Sequence, residues 1–346
     1  MVDIYELSVS SVGHQTRYAK QARNLYAYIE ILRGRSLPPI IDLQSLAGFT
    51  DVSVEYLSRS IISPAEKYRT FEIPKRAGGK RTIEAPQPSL LRCQRWIAEN
   101  ILSSAVLSDN ATAYRRGFGI LDNVKPHVGS SHLLKMDLTN FFPSIKIDRV
   151  ISIFEVAGYS HKTAFELASL CCLHGRLAQG AATSPVISNI VAKRMDRRID
   201  KLVSSLGLVY TRYSDDITIS GDLVHSSLID SVSDIIVDEG FEVNRKKVVL
   251  YQDAGRRLVT GISVGGDIPR VPKHKRRQIR QDYHRLVVQR NAEAGVRGGG
   301  RDVFFMDSLL GKLHFWRHVE PDAVFPKMAI DRLLGSMRSL KSAQLP

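Results

Sequence analysis

Two adjacent aspartates, Asp215 and Asp216, lie between two β-prone runs and constrain the fold of this chain more than any other feature. The sequence predicts a strand over residues 208–213, a turn at 214–216 and a return strand over 217–220. Like charges side by side repel, so burying them together is costly unless a cation is present. Taken alone, an acidic turn is typical of a solvated hairpin, because aspartate is common in turns. The surroundings of the pair therefore decide its meaning.

A third carboxylate ends another predicted strand. In HLLKMDL (residues 132–138) the apolar residues alternate with Lys135 and Asp137, as in a strand with one buried face. We expect that apolar face to share a sheet with the hairpin of Asp215 and Asp216. Three carboxylates at the ends of neighbouring strands suit Mg²⁺, which prefers hard oxygen ligands and substrate phosphates. Two such ions about 4 Å apart can activate an attacking hydroxyl and stabilise the leaving oxygen in phosphoryl transfer.

Periodicity and turn residues place the remaining elements. We expect helices over 1–65, 90–102, 184–202, 227–239, 270–290 and after residue 300, a hairpin over 71–86 around Gly78 and Gly79, and strand character over 247–265. The helix at 270–290 combines an apolar seam with a strongly cationic face. A glycine-rich link at 295–300 follows it, and a domain boundary is expected near 265–270.

The charge of the chain favours a polyanionic partner. Its 346 residues include 49 Lys and Arg against 35 Asp and Glu, a formal net charge of +14. Nucleic acid is the first expectation and an anionic membrane surface the second. The sequence has no run of about 20 apolar residues that could span a bilayer, and its start does not resemble a signal peptide. Its three cysteines form no CxxC pair, which disfavours a disulfide framework and a cysteine zinc site. We therefore expect a cytoplasmic enzyme that has no membrane partner.

Several ordered motifs resemble those of reverse transcriptases. LLKMDLTNFFPSI, QGAATSPVISNIVA and YSDDITIS are similar to the palm motifs, with Ser214 where the family usually has alanine. The resemblance continues through GFEVNRKKV and LVTGISV. IPKRAGGKRTIEAP resembles the fingers hairpin of bacterial retron-type enzymes. NVKPH (residues 123–127) resembles the NAxxH motif of that group, with Val124 in place of alanine, and residues 259–261 match its VTG motif.

The resemblance implies an α+β fold, namely a right-hand polymerase with fingers, a palm built on a ferredoxin-like antiparallel sheet, and a helical thumb. The N-terminal helices and fingers would occupy residues 1–130. The palm would occupy 131–265, with a fingers-associated segment at about 150–185. A basic helical thumb would occupy 270–346.

The resemblance also implies roles for single residues. Asp137, Asp215 and Asp216 would be catalytic and would hold two Mg²⁺ ions, with Leu138 as a further metal-site residue. The dNTP would contact Lys75, Arg81, Phe142, Gln179, Gly180 and Lys247. Among these, Phe142 would be the aromatic gate beneath the sugar. Lys247 would protonate the departing pyrophosphate, with the adjacent Lys246 left open as an alternative. The predicted RNA-binding residues are Asn123, His127, Val259, Thr260, Gly261, Lys273, Lys275, Arg276, Arg277 and Arg280.

The implied activity is RNA-directed DNA synthesis from dNTPs on a structured non-coding RNA. Members of the retron group start from a guanosine 2′-hydroxyl and leave a branched RNA–DNA hybrid, usually beside an effector protein in defence against phages. Three alternatives stay open: an RNA-synthesising relative, a non-catalytic RNA-binding scaffold, and a group II intron-like or other mobile-element enzyme. Phe142 argues against the first and the intact carboxylates against the second. The chain length after the thumb leads us to expect a stand-alone enzyme rather than the third.

Overall fold

The computed structural model describes residues 20, 22–74, 78–252, 257–293 and 301–342. The chain divides into two compact units. The first comprises Met1–Tyr114, Leu138–Arg198 and Asp234–Val243, and the second comprises Arg115–Asp137, Ile199–Ser233 and Asn244–Pro346. In the described ranges no helix is both long and apolar enough to cross a bilayer.

Helices and short strands alternate along the chain. The helices are α1 (22–34), α2 (Leu43–Thr50), α3 (Val54–Ile62), α4 (Pro88–Asn100), α5 (Ile120–Val124), α6 (Phe141–Ser144), α7 (Ile147–Ala157), α8 (His161–Cys171), α9 (Ser184–Ser205), α10 (Leu228–Asp238), α11 (Lys273–Glu293), α12 (Arg301–Val319) and α13 (Val324–Ser342). The strands are β1 (Tyr68–Pro74), β2 (Lys80–Pro86), β3 (His132–Asp137), β4 (Cys172–Leu173), β5 (Arg176–Leu177), β6 (Val209–Tyr213), β7 (Asp216–Gly221), β8 (Val249–Tyr251), β9 (Leu258–Val259) and β10 (Ile262–Ser263).

The first unit combines helices with the β1–β2 hairpin. These strands pair antiparallel, from Tyr68 opposite Pro86 to Pro74 opposite Lys80. The predicted turn around Gly78 and Gly79 is confirmed, and both have φ above +75°, a conformation that glycine adopts without a Cβ penalty. Gln94 of α4 is fully buried, and its side-chain amide donates to the Tyr68 hydroxyl at 2.8 Å and the Leu170 carbonyl at 2.9 Å. This amide therefore joins α4 to the hairpin and to α8.

The second unit contains a four-stranded sheet of order β6–β7–β3–β8. All three strand pairs are antiparallel, so the expected α+β class with an antiparallel sheet is confirmed. The predicted hairpin is β6–β7, and the predicted strand ending in Asp137 is β3. Apolar side chains at alternating positions of this sheet are buried, among them Leu134, Met136, Ile217 and Ile219.

Three helices near the end of the chain pack on the same core as the sheet. Ile279, Tyr283 and Leu286 of α11, which the sequence placed on one apolar seam, are all buried. They share a hydrophobic cluster with Trp316 of α12 and with Leu133 of β3. The seam of the basic helix therefore belongs to the core of the second unit. The glycine-rich link at 295–300 lies outside the described residues.

The strand prediction for 247–265 was too long. The structure has only β8, β9 and β10 in this range, of three, two and two residues. Thr260 and Gly261 have φ of 44° and 84° and form a tight turn between β9 and β10, which ends strand geometry there. Cys93, Cys171 and Cys172 are free and buried. The division into fingers, palm and thumb at residues 130, 265 and 270 stays a prediction.

Candidate active site

The β6–β7 hairpin and β3 bring the three predicted carboxylates to one end of the sheet. Asp216 is the first residue of β7 and pairs with Asp137, the last residue of β3. On its other side Asp216 pairs with Tyr213 of β6. Asp215 lies in the turn, after Ser214 with φ of 62°. The sheet register therefore places Asp137 beside the aspartate pair, as the strand pattern predicted.

The three carboxylates repel one another in a partly desolvated place. Burial raises the pKa of Asp215, and the charge of Asp137 raises it further. Burial also raises the pKa of Asp216, with added repulsion from Asp215 and Asp137. A cation would relieve both effects, because a nearby opposite charge favours the ionised carboxylate. This donor set of hard carboxylate oxygens fits a divalent ion such as Mg²⁺.

A lysine ammonium engages one of these carboxylates. Lys247 Nζ lies 2.7 Å from Asp137 Oδ2, and Asn244 Nδ2 lies 3.3 Å from Asp137 Oδ1. The hydrogen bond to Asp137 raises the pKa of Lys247, so its ammonium stays charged. Among the described residues, no group of three or more Asp, Glu, His or Cys side chains is arranged so that it could already hold a metal ion. Lys246, the alternative left open by the sequence, is exposed and has no acidic partner among the described ion pairs.

A buried arginine that the sequence did not predict lies behind the turn. Arg212 is fully buried, and its guanidinium donates to the Ser214 carbonyl at 3.0 Å. Ser214 precedes Asp215 and has a left-handed backbone, so this hydrogen bond supports the turn directly. Its only trace in the sequence is an arginine inside a predicted strand.

Leu138, predicted at the metal site, has a buried side chain and forms an isolated bridge with Val243. An aliphatic side chain is no ligand, so Leu138 could offer a cation only its backbone carbonyl oxygen.

Phe142 and Arg81, two predicted dNTP contacts, belong to the first unit. Phe142 is half-buried in α6, with its ring centroid 6.1 Å from that of Tyr114 and 5.5 Å from that of Phe141. Arg81 is exposed on β2. Lys75 lies outside the described residues. Phe142 thus belongs to an aromatic group rather than standing alone.

Gln179 and Gly180 pack against β2. The Glu84 amide donates to the Gln179 carbonyl at 2.9 Å. A Cβ built on Gly180 would lie 2.6 Å from the Glu84 carbonyl oxygen, and Gly180 has φ of +141°. The close backbone approach expected of this glycine is therefore made to the protein's own hairpin, and only glycine fits there without strain.

Three of the predicted RNA-binding side chains are buried. Asn123 is 1% exposed, and both His127 and Val259 are 0% exposed. His127 contacts Ser220 and Thr211 of the β6–β7 hairpin instead. These three side chains present no surface in this structure, and a role of the three residues in RNA binding stays a prediction. Thr260 and Gly261 are half-buried in the β9–β10 turn.

The basic helix α11 divides its cations between the protein and the surface. Lys275 Nζ donates to the Gly261 carbonyl at 3.3 Å, and Arg276 lies 3.4 Å from Glu320. Lys273, Arg277 and Arg280 are exposed, and the Arg280 guanidinium lies 5.5 Å from the centre of the Trp316 ring. Three of the five predicted cations are therefore displayed on the surface.

The chain is similar to known proteins over most of its length. A family model described as reverse transcriptase (RNA-dependent DNA polymerase) matches residues 73–277. The chain therefore belongs to the reverse transcriptase family and is an RNA-directed DNA polymerase. Its α+β fold with an antiparallel sheet is that of the right-hand polymerases.

Within that family the chain is of the bacterial retron type. It is 32% identical to the retron Ec86 reverse transcriptase of Escherichia coli over 282 residues, which cover 80% of this chain and 88% of that protein. It is 34% identical to the retron Mx65 reverse transcriptase of Myxococcus xanthus over 277 residues, which cover 72% of this chain and 64% of that one.

Two solved structures are also similar. One is a foamy viral protease–reverse transcriptase in complex with double-stranded DNA, with a TM-score of 0.41 and 17% identity over 72% of this chain and 36% of that chain. The other is telomerase from Candida albicans, with a TM-score of 0.43 and 10% identity over 77% of this chain and 62% of that chain.

Proposed function

We propose that this retron-type reverse transcriptase transfers deoxynucleotides at a two-metal site held by Asp137, Asp215 and Asp216. The observation that carries the proposal is the register of β3 against β7, which pairs Asp137 with Asp216 next to Asp215. Burial and mutual repulsion of these carboxylates favour a cation between them. Leu138 is proposed to contribute its backbone carbonyl oxygen.

Bound there, two Mg²⁺ ions would activate the attacking hydroxyl and neutralise the charge of the triphosphate. The chain contributes position and fixed charge, as phosphoryl transfer requires. Lys247, kept charged by its ion pair with Asp137, is proposed to give its proton to the departing pyrophosphate. Lys75 and Arg81 are proposed to hold the triphosphate, and the fork of Arg81 suits phosphate oxygens.

The remaining dNTP contacts concern the sugar and the template pocket. We propose that Phe142 stands beneath the sugar, where a ring would clash with a 2′-hydroxyl and so select deoxynucleotides. Its packing against Tyr114 and Phe141 would keep the ring in place. Gln179 and Gly180 are proposed to line the pocket, with their backbone fixed by the contact to Glu84.

A structured RNA is the proposed partner. The exposed Lys273, Arg277 and Arg280 of α11 suit the phosphates of a duplex, which attract lysine and arginine without reading sequence. The similarity to retron enzymes supports priming from an RNA 2′-hydroxyl and a branched RNA–DNA product. A role in phage defence beside an effector protein and a cytoplasmic location also stay predictions.

The metal site is tested with the double variant Asp215→Asn, Asp216→Asn. We expect DNA synthesis to be abolished and RNA binding to be retained, because the amides keep the shape of the turn but not its charge. Asp222→Asn, an exposed aspartate one residue beyond β7, is the matched control and should synthesise normally. Full activity in the double variant would reject the assignment.

The product is tested on nucleic acid that co-purifies with the protein. Treatment with RNase alone and with DNase alone should each shorten one band, because a branched product contains both strands covalently joined. A band that is sensitive to only one of the two nucleases would contradict the branched product.

A further inference from the structure

A buried hydrogen-bond network crosses the hairpin that carries Asp215 and Asp216. His127 Nδ1 lies 2.6 Å from Ser220 Oγ on β7, and His127 Nε2 lies 2.8 Å from Thr211 Oγ1 on β6. The side chains of His127, Ser220 and Thr211 are 0%, 0% and 5% exposed. One imidazole therefore joins both strands of the hairpin. Its partner on β6, Thr211, lies four residues before Asp215, and its partner on β7, Ser220, lies four residues after Asp216.

A single assignment of donors and acceptors is consistent with all the hydrogen bonds around His127. Ser130 Oγ donates to Ser220 Oγ at 3.0 Å, which leaves the Ser220 hydroxyl proton for His127 Nδ1. Thr211 Oγ1 donates to Asn123 Oδ1 at 2.8 Å, so it accepts from His127 Nε2–H. A neutral imidazole with its proton on Nε2 satisfies the ring nitrogens of His127 and the hydroxyl groups of Ser220 and Thr211. A satisfied buried network of this kind fixes a single arrangement of its strands.

The same segment also contacts the β9–β10 hairpin. The Gly129 amide donates to the Val264 carbonyl at 2.9 Å. Arg257, which precedes β9, donates to the Ser130 carbonyl and, at 2.6 Å, to the Ser131 carbonyl. Lys275 of α11 in turn donates to the Gly261 carbonyl in the β9–β10 turn. A continuous set of hydrogen bonds thus runs from the basic helix to the catalytic hairpin.

We propose that His127 is a positioning residue for nucleotidyl transfer, which holds β6 against β7 and holds the catalytic hairpin to the segment that carries the β9–β10 hairpin. This inference rests on the proposed metal site at Asp137, Asp215 and Asp216. It replaces direct RNA contact as the role of His127 and Asn123. The turn with Asp215 and Asp216 directly joins β6 to β7, so its position depends on how these two strands are held. A displacement of about 1 Å at a reacting group can slow chemistry by up to about a hundredfold.

The test uses the full-length variants His127→Gln, Ser220→Ala and Thr211→Val. Steady-state kinetics with poly(rA)·oligo(dT) and dTTP should show kcat lowered by about tenfold or more, and KM for dTTP within about threefold. The affinity for poly(rA)·oligo(dT), measured by fluorescence anisotropy, should stay within about threefold. Hydrogen–deuterium exchange should become faster in the peptides that cover residues 209–221. Ser226→Ala, an exposed serine of the same unit, is the control.

Each alternative has its own signature. Weaker binding of poly(rA)·oligo(dT) with an unchanged kcat at saturation would overturn the proposal in favour of direct contact. An unchanged kcat and unchanged exchange would overturn it outright. If His127→Gln fails to fold, Ser220→Ala and Thr211→Val provide the test. Each of them keeps the imidazole and removes one of its two hydrogen bonds. Failure of the proposed metal site would give a different result. Asp215→Asn would then synthesise DNA normally, while hydrogen–deuterium exchange of residues 209–221 would still be faster in His127→Gln than in the wild type.

Discussion

Acid should destabilise this protein through His127. Burial lowers the pKa of this imidazole from 6.5 to about 4. The unfolded chain binds the proton near pH 6.5 and the folded chain does not, so the contribution of the neutral ring is complete above pH 6.5 and is lost as the pH falls toward 4. Each pKa unit corresponds to about 1.4 kcal/mol, so the loss is about 2 kcal/mol by pH 5 and about 3 kcal/mol by pH 4.

The assay is urea denaturation of the wild-type protein and of His127→Gln at pH 7, 6 and 5. The wild type should be the more stable at pH 7, because the variant weakens two buried hydrogen bonds. The difference in free energy of unfolding should shrink by about 2 kcal/mol between pH 7 and pH 5. The comparison removes the contribution of the other titrating groups, and His225→Gln, an exposed position, controls for replacing a histidine as such. A difference that stays constant to about 0.5 kcal/mol over this range would refute a buried neutral imidazole.

Three further changes probe the sheet that carries the aspartates and the first unit. In EDTA, Asp215→Asn with Asp216→Asn should melt at a higher temperature than the wild type, since burial and repulsion disfavour both charges; a lower melting temperature in a scanning calorimeter would contradict the repulsion. Gly180→Ala should cost about 2 kcal/mol or more of unfolding free energy in urea, because its Cβ would lie 2.6 Å from a carbonyl oxygen. The control Gly175→Ala has φ of +69° but open space and should cost about 1 kcal/mol; equal costs would remove the clash as the cause. Phe142→Val should admit ribonucleotides in primer extension, and continued rejection of them would remove this ring as the gate.

Local periodicity was enough to predict much of the fold. The hairpin of Asp215 and Asp216, helix α9 and the apolar seam of α11 were all predicted, because each depends on neighbours within a few residues. The meeting of Asp137 and Asp216 at the end of the sheet was also predictable, since the sequence places each of them at or beside the end of a strand. The range 247–265 was predicted less well, because a left-handed turn at Thr260 interrupts it.

The supports of the site could not be read from the chain. His127 lies 93 residues from Ser220 and 84 residues from Thr211 along the sequence. The motif at residues 123–127 does not indicate which distant side chains contact it in the folded chain. Arg212 is similarly silent, because a charged residue within a strand is usually exposed. The burial of His127 and Arg212 depends on tertiary packing, which local sequence patterns do not predict.

The hydrogen bonds between the segment at 129–131 and the β9–β10 hairpin bear on the exchange of parts between relatives. Arg257 reaches two carbonyls of this segment, and the Gly129 amide reaches Val264. A chimera that imports only the C-terminal helices and β9–β10 would bring a foreign hairpin to these carbonyls. Transplants that carry residues 123–131 along with 257–342 should therefore fold and copy better than transplants cut at residue 257 alone.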